Sequence, residues 1–187
     1  IIGLVISLSI SFVFPVQYRA DAQIYILAKS RFGVDPYTVA KSAERIGENL
    51  AQVIKTGDFY DKVMNEPNFD LDKSYFDGVS ERVKRKRWAK TVDGKVMFGT
   101  GILNISAYHN NPEQASNYAG AIVKTLVDKG VEYVGEDVGI KIVNQPVVGS
   151  LPARPNFIFN AIIGFFVGFA IMSLIMARRF YALKRQE

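Results

Sequence analysis

The sequence predicts an α+β fold, a small mixed sheet packed with helices, in a membrane-anchored domain between two transmembrane helices. Two apolar runs, residues 1–16 and 157–177, contain no charged side chain. The residues between them have the composition of a soluble domain and alternate between strand-like and helix-like patterns. The chain has no cysteine, which excludes disulfides, thiolate metal sites and cysteine nucleophiles.

The first apolar run, residues 1–16, predicts a transmembrane helix that is truncated at its N-terminus, because the chain begins inside the run. As a helix it would measure about 24 Å, slightly less than a full span. A secretory signal peptide is the competing interpretation, because Ala20-Asp21-Ala22 resembles a cleavage site. Two spans would place residues 17–156 outside the cytoplasm.

The first half of this domain predicts a strand and two helices. Residues 18–27 alternate between polar and apolar side chains, as a strand does. Asp35 and Pro36 are typical of the start of a helix, and apolar spacing continues it to about Lys55. Residues 58–64 predict a second, short helix.

A third predicted helix carries a dense group of cations. Phe76, Val79 and Val83 have helical spacing, and Asp93-Gly94 indicates a turn or a helix stop. The polar face of this helix would hold six basic side chains, here called the basic patch: Arg82, Lys84, Arg85, Lys86, Arg87 and Lys90. The patch is either a solvated face, a contact with lipid headgroups or a binding surface for an acidic polymer; nucleic acid is not expected outside the cytoplasm.

The second half of the domain predicts strand, helix and strand in that order. Residues 102–108 alternate as a strand, and Asn111 with Pro112 starts a helix with a continuous apolar stripe. Residues 139–148 predict the last strand. A stiff connector at 146–155 then leads to the membrane, because it contains three prolines: Pro146, Pro152 and Pro155.

The second apolar run, residues 157–177, predicts the second transmembrane helix. Its length of about 31 Å matches a hydrocarbon core of about 30 Å. Residues 178–187 form a basic tail, which the positive-inside rule places in the cytoplasm. Gly164 and Gly168 have the spacing of closely packed membrane helices, although glycines facing lipid are the alternative.

No pattern of residues indicates an enzyme, a cofactor or a metal site. His109 is the only histidine and has no cysteine partner. Asp70 and Asp72, with Glu81 further on, partly match a calcium-binding loop. Tyr75, however, occupies the position where that loop requires glycine for its sharp turn. The sequence therefore predicts a binding or structural protein.

The order of these features is more specific than any one of them. Ile102–Ser106 (ILNIS) precedes Asn111–Ala115 (NPEQA), and a strand, three spaced prolines and the second span follow. This order, over nearly the whole chain, resembles the Wzz-type chain-length determinants, the polysaccharide co-polymerases, in their compact capsule-type branch. The resemblance implies a non-enzymatic oligomer of the bacterial inner (plasma) membrane that sets the length of O-antigen, capsule or exopolysaccharide chains.

The resemblance also implies the partners. They are other copies of the chain, a separate polysaccharide polymerase, the growing glycan and membrane lipid. An alternative is an adaptor that recruits or activates a separate cytoplasmic tyrosine autokinase, because the chain has no phosphate-binding loop of its own. A channel or transporter is disfavoured, since neither predicted span contains an ionisable residue.

Overall fold

The computed structural model of the chain describes residues 3, 7, 9, 14–28 and 35–184, apart from the side chains of residues 175, 177 and 179–184. The chain divides into two compact units. One unit is Gln17–Leu151, and the other combines the residues up to Val16 with those from Pro152 onward.

The first unit is an α+β domain, as predicted. Its elements are β1 (Tyr18–Ala28), α1 (Pro36–Val53), α2 (Gly57–Met64), α3 (Glu81–Thr91), β2 (Val92–Val96), β3 (Ile102–His109), α4 (Pro112–Lys129), α5 (Val131–Val134) and β4 (Val138–Val148). The four strands form one sheet in the order β2-β3-β1-β4. All three pairings are antiparallel, whereas a mixed sheet was predicted. β3 and β4 run parallel and are joined through α4, but β1 lies between them and prevents a parallel pair.

Helices cover one face of this sheet. Alternation along β1 buries Ala20, Ala22, Ile24 and Ile26, and α4 and α1 pack against the sheet on this side. The opposite face of β1 carries Arg19, Asp21, Gln23 and Tyr25, which are partly or largely exposed. The sheet therefore has one buried apolar face and one open polar face, as antiparallel sheets commonly do.

Both predicted helix starts are confirmed. The Asp35 carboxylate accepts a hydrogen bond from the Thr38 N–H (3.2 Å), and the Asn111 side chain accepts one from the Glu113 N–H (2.8 Å). Each bond satisfies a backbone donor that has no partner within the first turn of the helix.

The prediction for the third helix is wrong in detail. α3 begins at Glu81, so Phe76 and Val79 precede it, and Val83 is 38% exposed. The helix is held instead by Trp88, which is fully buried against the rings of Tyr60, Phe76 and Tyr118. A single large aromatic side chain anchors the helix to the domain, whereas the spacing had indicated a stripe of smaller apolar residues.

The predicted turn at Asp93-Gly94 is also wrong, because both residues lie in β2. A methyl group on Gly94 would lie 2.8 Å from Cδ1 of Ile54 and 3.1 Å from Cα of Ala51. Glycine is needed here because β2 passes very close to the end of α1, not because the chain turns.

The predicted connector begins too early. Pro146 lies within β4, at an irregular position of the edge strand. Asp21 pairs with Val147 and Gln23 pairs with Asn144, so two β4 residues lie opposite one residue of β1. An edge strand tolerates proline at such a bulge, since the missing N–H removes no regular sheet bond. Pro152 and Pro155 follow the strand and precede the next helix.

The second unit contains one long helix, α6 (Phe157–Lys184). Its segment Phe157–Leu174 has the length and apolar composition to cross a membrane, and it is the one such helix in the described part of the chain. The helix continues through residue 178, where the basic tail was predicted to begin. The predicted first transmembrane helix, residues 1–16, lies largely outside the described residues. The structure therefore shows one candidate span and not the predicted two.

Candidate functional site

The basic patch divides into two groups of side chains. Lys84 forms an ion pair with Glu81 (2.6 Å), and Arg87 donates a hydrogen bond to the Tyr75 carbonyl and lies 4.7 Å from the centre of the Tyr75 ring. The hydrogen bond from Lys84 lowers the pKa of Glu81, and the same bond raises the pKa of Lys84, so both groups stay charged over a wide pH range. Arg87 therefore joins α3 to the preceding loop, whereas the ion pair of Lys84 lies within α3.

The remaining members of the patch face solvent. Arg82, Arg85 and Lys86 are exposed, and no ion pair in the described part of the chain joins them to a carboxylate. Lys90 is also exposed. The structure thus places the cations predicted from sequence on one short helix, but only part of the patch is available to a ligand.

The glycine pair of α6 lies against the N-terminal residues of the same unit. A methyl group on Gly3 would lie 2.5 Å from the Gly164 carbonyl oxygen and 2.7 Å from Cα of Gly168. The Ser7 hydroxyl donates a hydrogen bond to the Asn160 carbonyl oxygen (2.6 Å). The backbones approach this closely because all three residues at the contact lack a side chain.

A surface that the sequence analysis did not identify lies on the open face of the sheet. It is a groove of about 350 Å³, here called the polar groove, lined by Arg19, Asp21, Gln23, Asn104, Asn144, Gln145 and Val147. The lining comes from the three adjacent strands β3, β1 and β4. Six of these seven residues are polar or charged, which distinguishes this groove from the apolar face beneath it.

Three amide side chains form a row across the floor of the polar groove. The Asn144 amide donates a hydrogen bond to Gln23 Oε1 (2.5 Å), and Gln23 Nε2 donates one to Asn104 Oδ1 (2.6 Å). The row follows the strand register, in which Gln23 pairs with Asn104 on one side and with Asn144 on the other. Cross-strand pairs of this kind fix the orientation of each amide.

An ion pair lies beside this amide row. Asp21 Oδ1 accepts hydrogen bonds from Arg19 Nε (2.7 Å) and from the Ser106 hydroxyl (2.6 Å). Partial burial by itself would lower the pKa of Arg19, but the hydrogen bond and charge of Asp21 outweigh it and raise the pKa. The polar groove therefore contains one basic and one acidic side chain in direct contact.

His109 lies just before the start of α4, against the Tyr118 ring. Its Nδ1 accepts a hydrogen bond from the Asn111 N–H (3.0 Å), and its ring stacks on Tyr118 with 5.5 Å between ring centres. Its Nε2 lies 3.7 Å from Asp72, which was considered as a calcium ligand. Among the described residues, no group of three or more His, Cys, Asp or Glu side chains is placed to hold a metal ion.

Comparisons with known proteins leave the function to be argued from these surfaces. The chain matches no protein-family model, and it matches no curated protein.

Proposed function

We propose that this protein is an oligomeric, membrane-anchored scaffold that regulates the chain length of a surface polysaccharide made by a separate polymerase. The order of elements carries the proposal: β1 opens the domain, β3 contains ILNIS, α4 starts with NPEQA, and β4 leads through Pro152 and Pro155 to an apolar helix. This is the order on which the resemblance to Wzz-type co-polymerases rests.

In this proposal residues 1–16 and α6 both span the bacterial inner membrane. The unit Gln17–Leu151 then lies on the periplasmic or extracellular side, and the C-terminus lies in the cytoplasm. The division of the chain into this unit and one that contains both termini is compatible with such a topology. The positive-inside rule favours the same orientation, because basic residues follow the apolar part of α6.

The scaffold would act through several weak contacts rather than through chemistry of its own. Assembly of several copies raises the effective concentration of each binding surface near the polymerase and the growing glycan. Elongation would then end within a preferred length range, because the polymer is held only while it spans these surfaces. The exposed cations of the basic patch are suited to an acidic glycan or to lipid headgroups.

The basic patch provides the test of this function. Reversing Arg82, Arg85 and Lys86 to Glu changes three of the four exposed cations and leaves the contacts of Lys84 and Arg87 intact. We expect normal amounts of protein in the membrane and an altered length distribution of the surface polysaccharide, measured by gel electrophoresis of extracted glycan. Binding of an acidic oligosaccharide to the purified protein should weaken as salt is added, because the contact is electrostatic.

A matched control reverses three cations away from both the basic patch and the polar groove, each at least partly exposed: Arg45, Lys73 and Lys129. This variant has the same net charge and should leave the length distribution unchanged. Wild-type glycan lengths in a strain that lacks the protein would contradict the proposed function. Complete loss of the polymer in that strain would also contradict length control and would favour the adaptor for a tyrosine autokinase.

A further inference from the structure

We propose that the polar groove binds a neutral, polyhydroxylated ligand, a short segment of glycan, on the open face of the sheet. The inference deepens the proposed function. Only the natural source of the ligand rests on that function; the binding site itself does not. The groove is a different surface from the basic patch on α3, because it is built from β3, β1 and β4.

The size and composition of the groove suit a sugar. Its volume of about 350 Å³ falls within the range of small-molecule sites, which is about 300–1,000 Å³. Planar amide, carboxylate and guanidinium groups can each engage two neighbouring hydroxyls, and the polar groove combines all three types. The three adjacent strands supply them side by side, with strands about 4.8 Å apart.

The polar groups are fixed before any ligand arrives. Gln23 is held from both sides, by Asn144 and by Asn104. These two bonds leave Asn104 Nδ2 and Asn144 Oδ1, at opposite ends of the row, without a hydrogen-bond partner among the described residues. One end therefore presents a donor and the other an acceptor, both of which a hydroxyl can satisfy. Pre-organised groups lose little conformational entropy on binding, which favours affinity.

The charge of the groove selects a neutral ligand. Arg19 and Asp21 neutralise each other at 2.7 Å. On the same face, Asp93 is paired with Lys55 at 2.8 Å. Among the residues that line the groove neither sign is in excess, so the lining itself offers no net attraction to an acidic polymer. The exposed Lys95 of β2 pairs with Asn104 and lies just outside this lining. A hydroxyl-rich ligand can instead hydrogen-bond to both charged groups without being charged itself.

Two tyrosines lie on the same face as the amide row. Tyr25 follows Gln23 by two positions on β1, and Tyr108 pairs with Arg19 in the register of β1 and β3. Aromatic rings pack against the apolar faces of other rings, and a sugar ring has such a face. Along the strand direction, the register therefore places Tyr25 on one side of the amide row and Tyr108, beyond the ion pair, on the other; both lie next to the groove lining and not within it.

A second copy of the chain is a less suitable occupant of the groove. Sheets that pack face to face do so through interdigitated apolar side chains. Here the centre of the face consists of an amide row and an ion pair, and burying such groups against a dry protein surface costs free energy. A glycan keeps its site partly hydrated and provides hydroxyls for these groups.

The test measures binding to the full-length protein in detergent micelles. The probes are fluorescently labelled neutral oligosaccharides of glucose, galactose, mannose and N-acetylglucosamine. The groove variants are Asn144→Leu, at an exposed position, and Gln23→Leu, at the centre of the row. We expect at least one probe to bind wild-type protein, both variants to bind it at least about tenfold more weakly, and added salt to have little effect.

The charge-reversed variant of Arg82, Arg85 and Lys86 is the matched control and should bind the neutral probe as wild type does. Circular dichroism checks that the groove variants are folded; the exposed Asn144 position keeps the test valid if Gln23→Leu does not fold. Three results would overturn the inference: no binding of any neutral probe, wild-type binding by Asn144→Leu, or a change of oligomeric state in place of a change in binding.

Glycan length in cells separates this inference from the proposed function. If Asn144→Leu loses probe binding but leaves polysaccharide length unchanged, the groove is a glycan site. That result would count against control of chain length through this site. Absence of probe binding by wild-type protein, with lengths that still depend on the protein, would overturn the groove and leave the proposed function intact.

Discussion

Trp88, the only tryptophan of the chain, determines how α3 is attached to the domain. Its side chain is fully buried, and its Nε1 donates a hydrogen bond to the Ile54 carbonyl (2.7 Å) at the end of α1. Its ring lies 5.2 Å from that of Tyr60. One residue thus connects α3 to α1 and α2, while four cations of the basic patch remain exposed: Arg82, Arg85, Lys86 and Lys90.

Replacing Trp88 by Phe should lower the free energy of unfolding by about 2–4 kcal/mol. The substitution removes buried volume and leaves the Ile54 carbonyl without its hydrogen-bond donor. Val83→Ala on the same helix is the control and should change stability by less than about 1 kcal/mol, since that small side chain is already 38% exposed. Urea unfolding followed by far-UV circular dichroism measures both; equal effects would show that Val83 anchors the helix after all.

At the scale of the elements, α6 depends on glycine for its closest contact. Gly164 lies against Ser7 and Gly3 of the same chain, and a methyl group on Gly164 would lie 2.4 Å from the Ser7 Cβ, too close to fit without a shift. The spacing of Gly164 and Gly168 predicts close helix packing in the membrane, but it does not indicate the partner. The structure provides a partner within the chain.

Gly164→Leu should therefore destabilise the contact of α6 with Gly3 and Ser7 within each copy, by about 1–3 kcal/mol, the usual cost of overpacking a core. Thermal unfolding in mild detergent, followed by the helical circular dichroism signal, should show a lower midpoint. Phe166→Leu is the control, because Phe166 is 64% exposed. If Gly164→Leu alters only the number of copies in the oligomer, and not this midpoint, the glycines pack between chains instead.

At the scale of the whole molecule, the proposed topology separates the domain from the C-terminus by a membrane. The cysteine-free chain allows a direct test with single cysteines at Asn68, which is exposed in the domain, and at Gln186. A membrane-impermeant thiol reagent should label the first in intact cells, after permeabilisation of an outer membrane where one exists. Labelling of the second in the same cells would contradict the two-span arrangement.

The sequence alone determined those features that depend on near neighbours along the chain. Asp35 and Asn111 start helices because their side chains bond to N–H groups two or three residues away. The alternation of β1 and the uncharged run 157–177 at the start of α6 are likewise local properties. These signals were sufficient for the α+β class and for most element boundaries.

Only the tertiary structure decided which distant residues meet. Gly94 was interpreted as a turn because nothing near it in sequence indicates that Ala51 and Ile54 pack against it. The row of Gln23, Asn104 and Asn144 exists because β1 lies between β3 and β4, with a register set partly by a bulge. Strand order and register depend on the packing of the whole sheet on its helices, and no periodicity within a single strand encodes them.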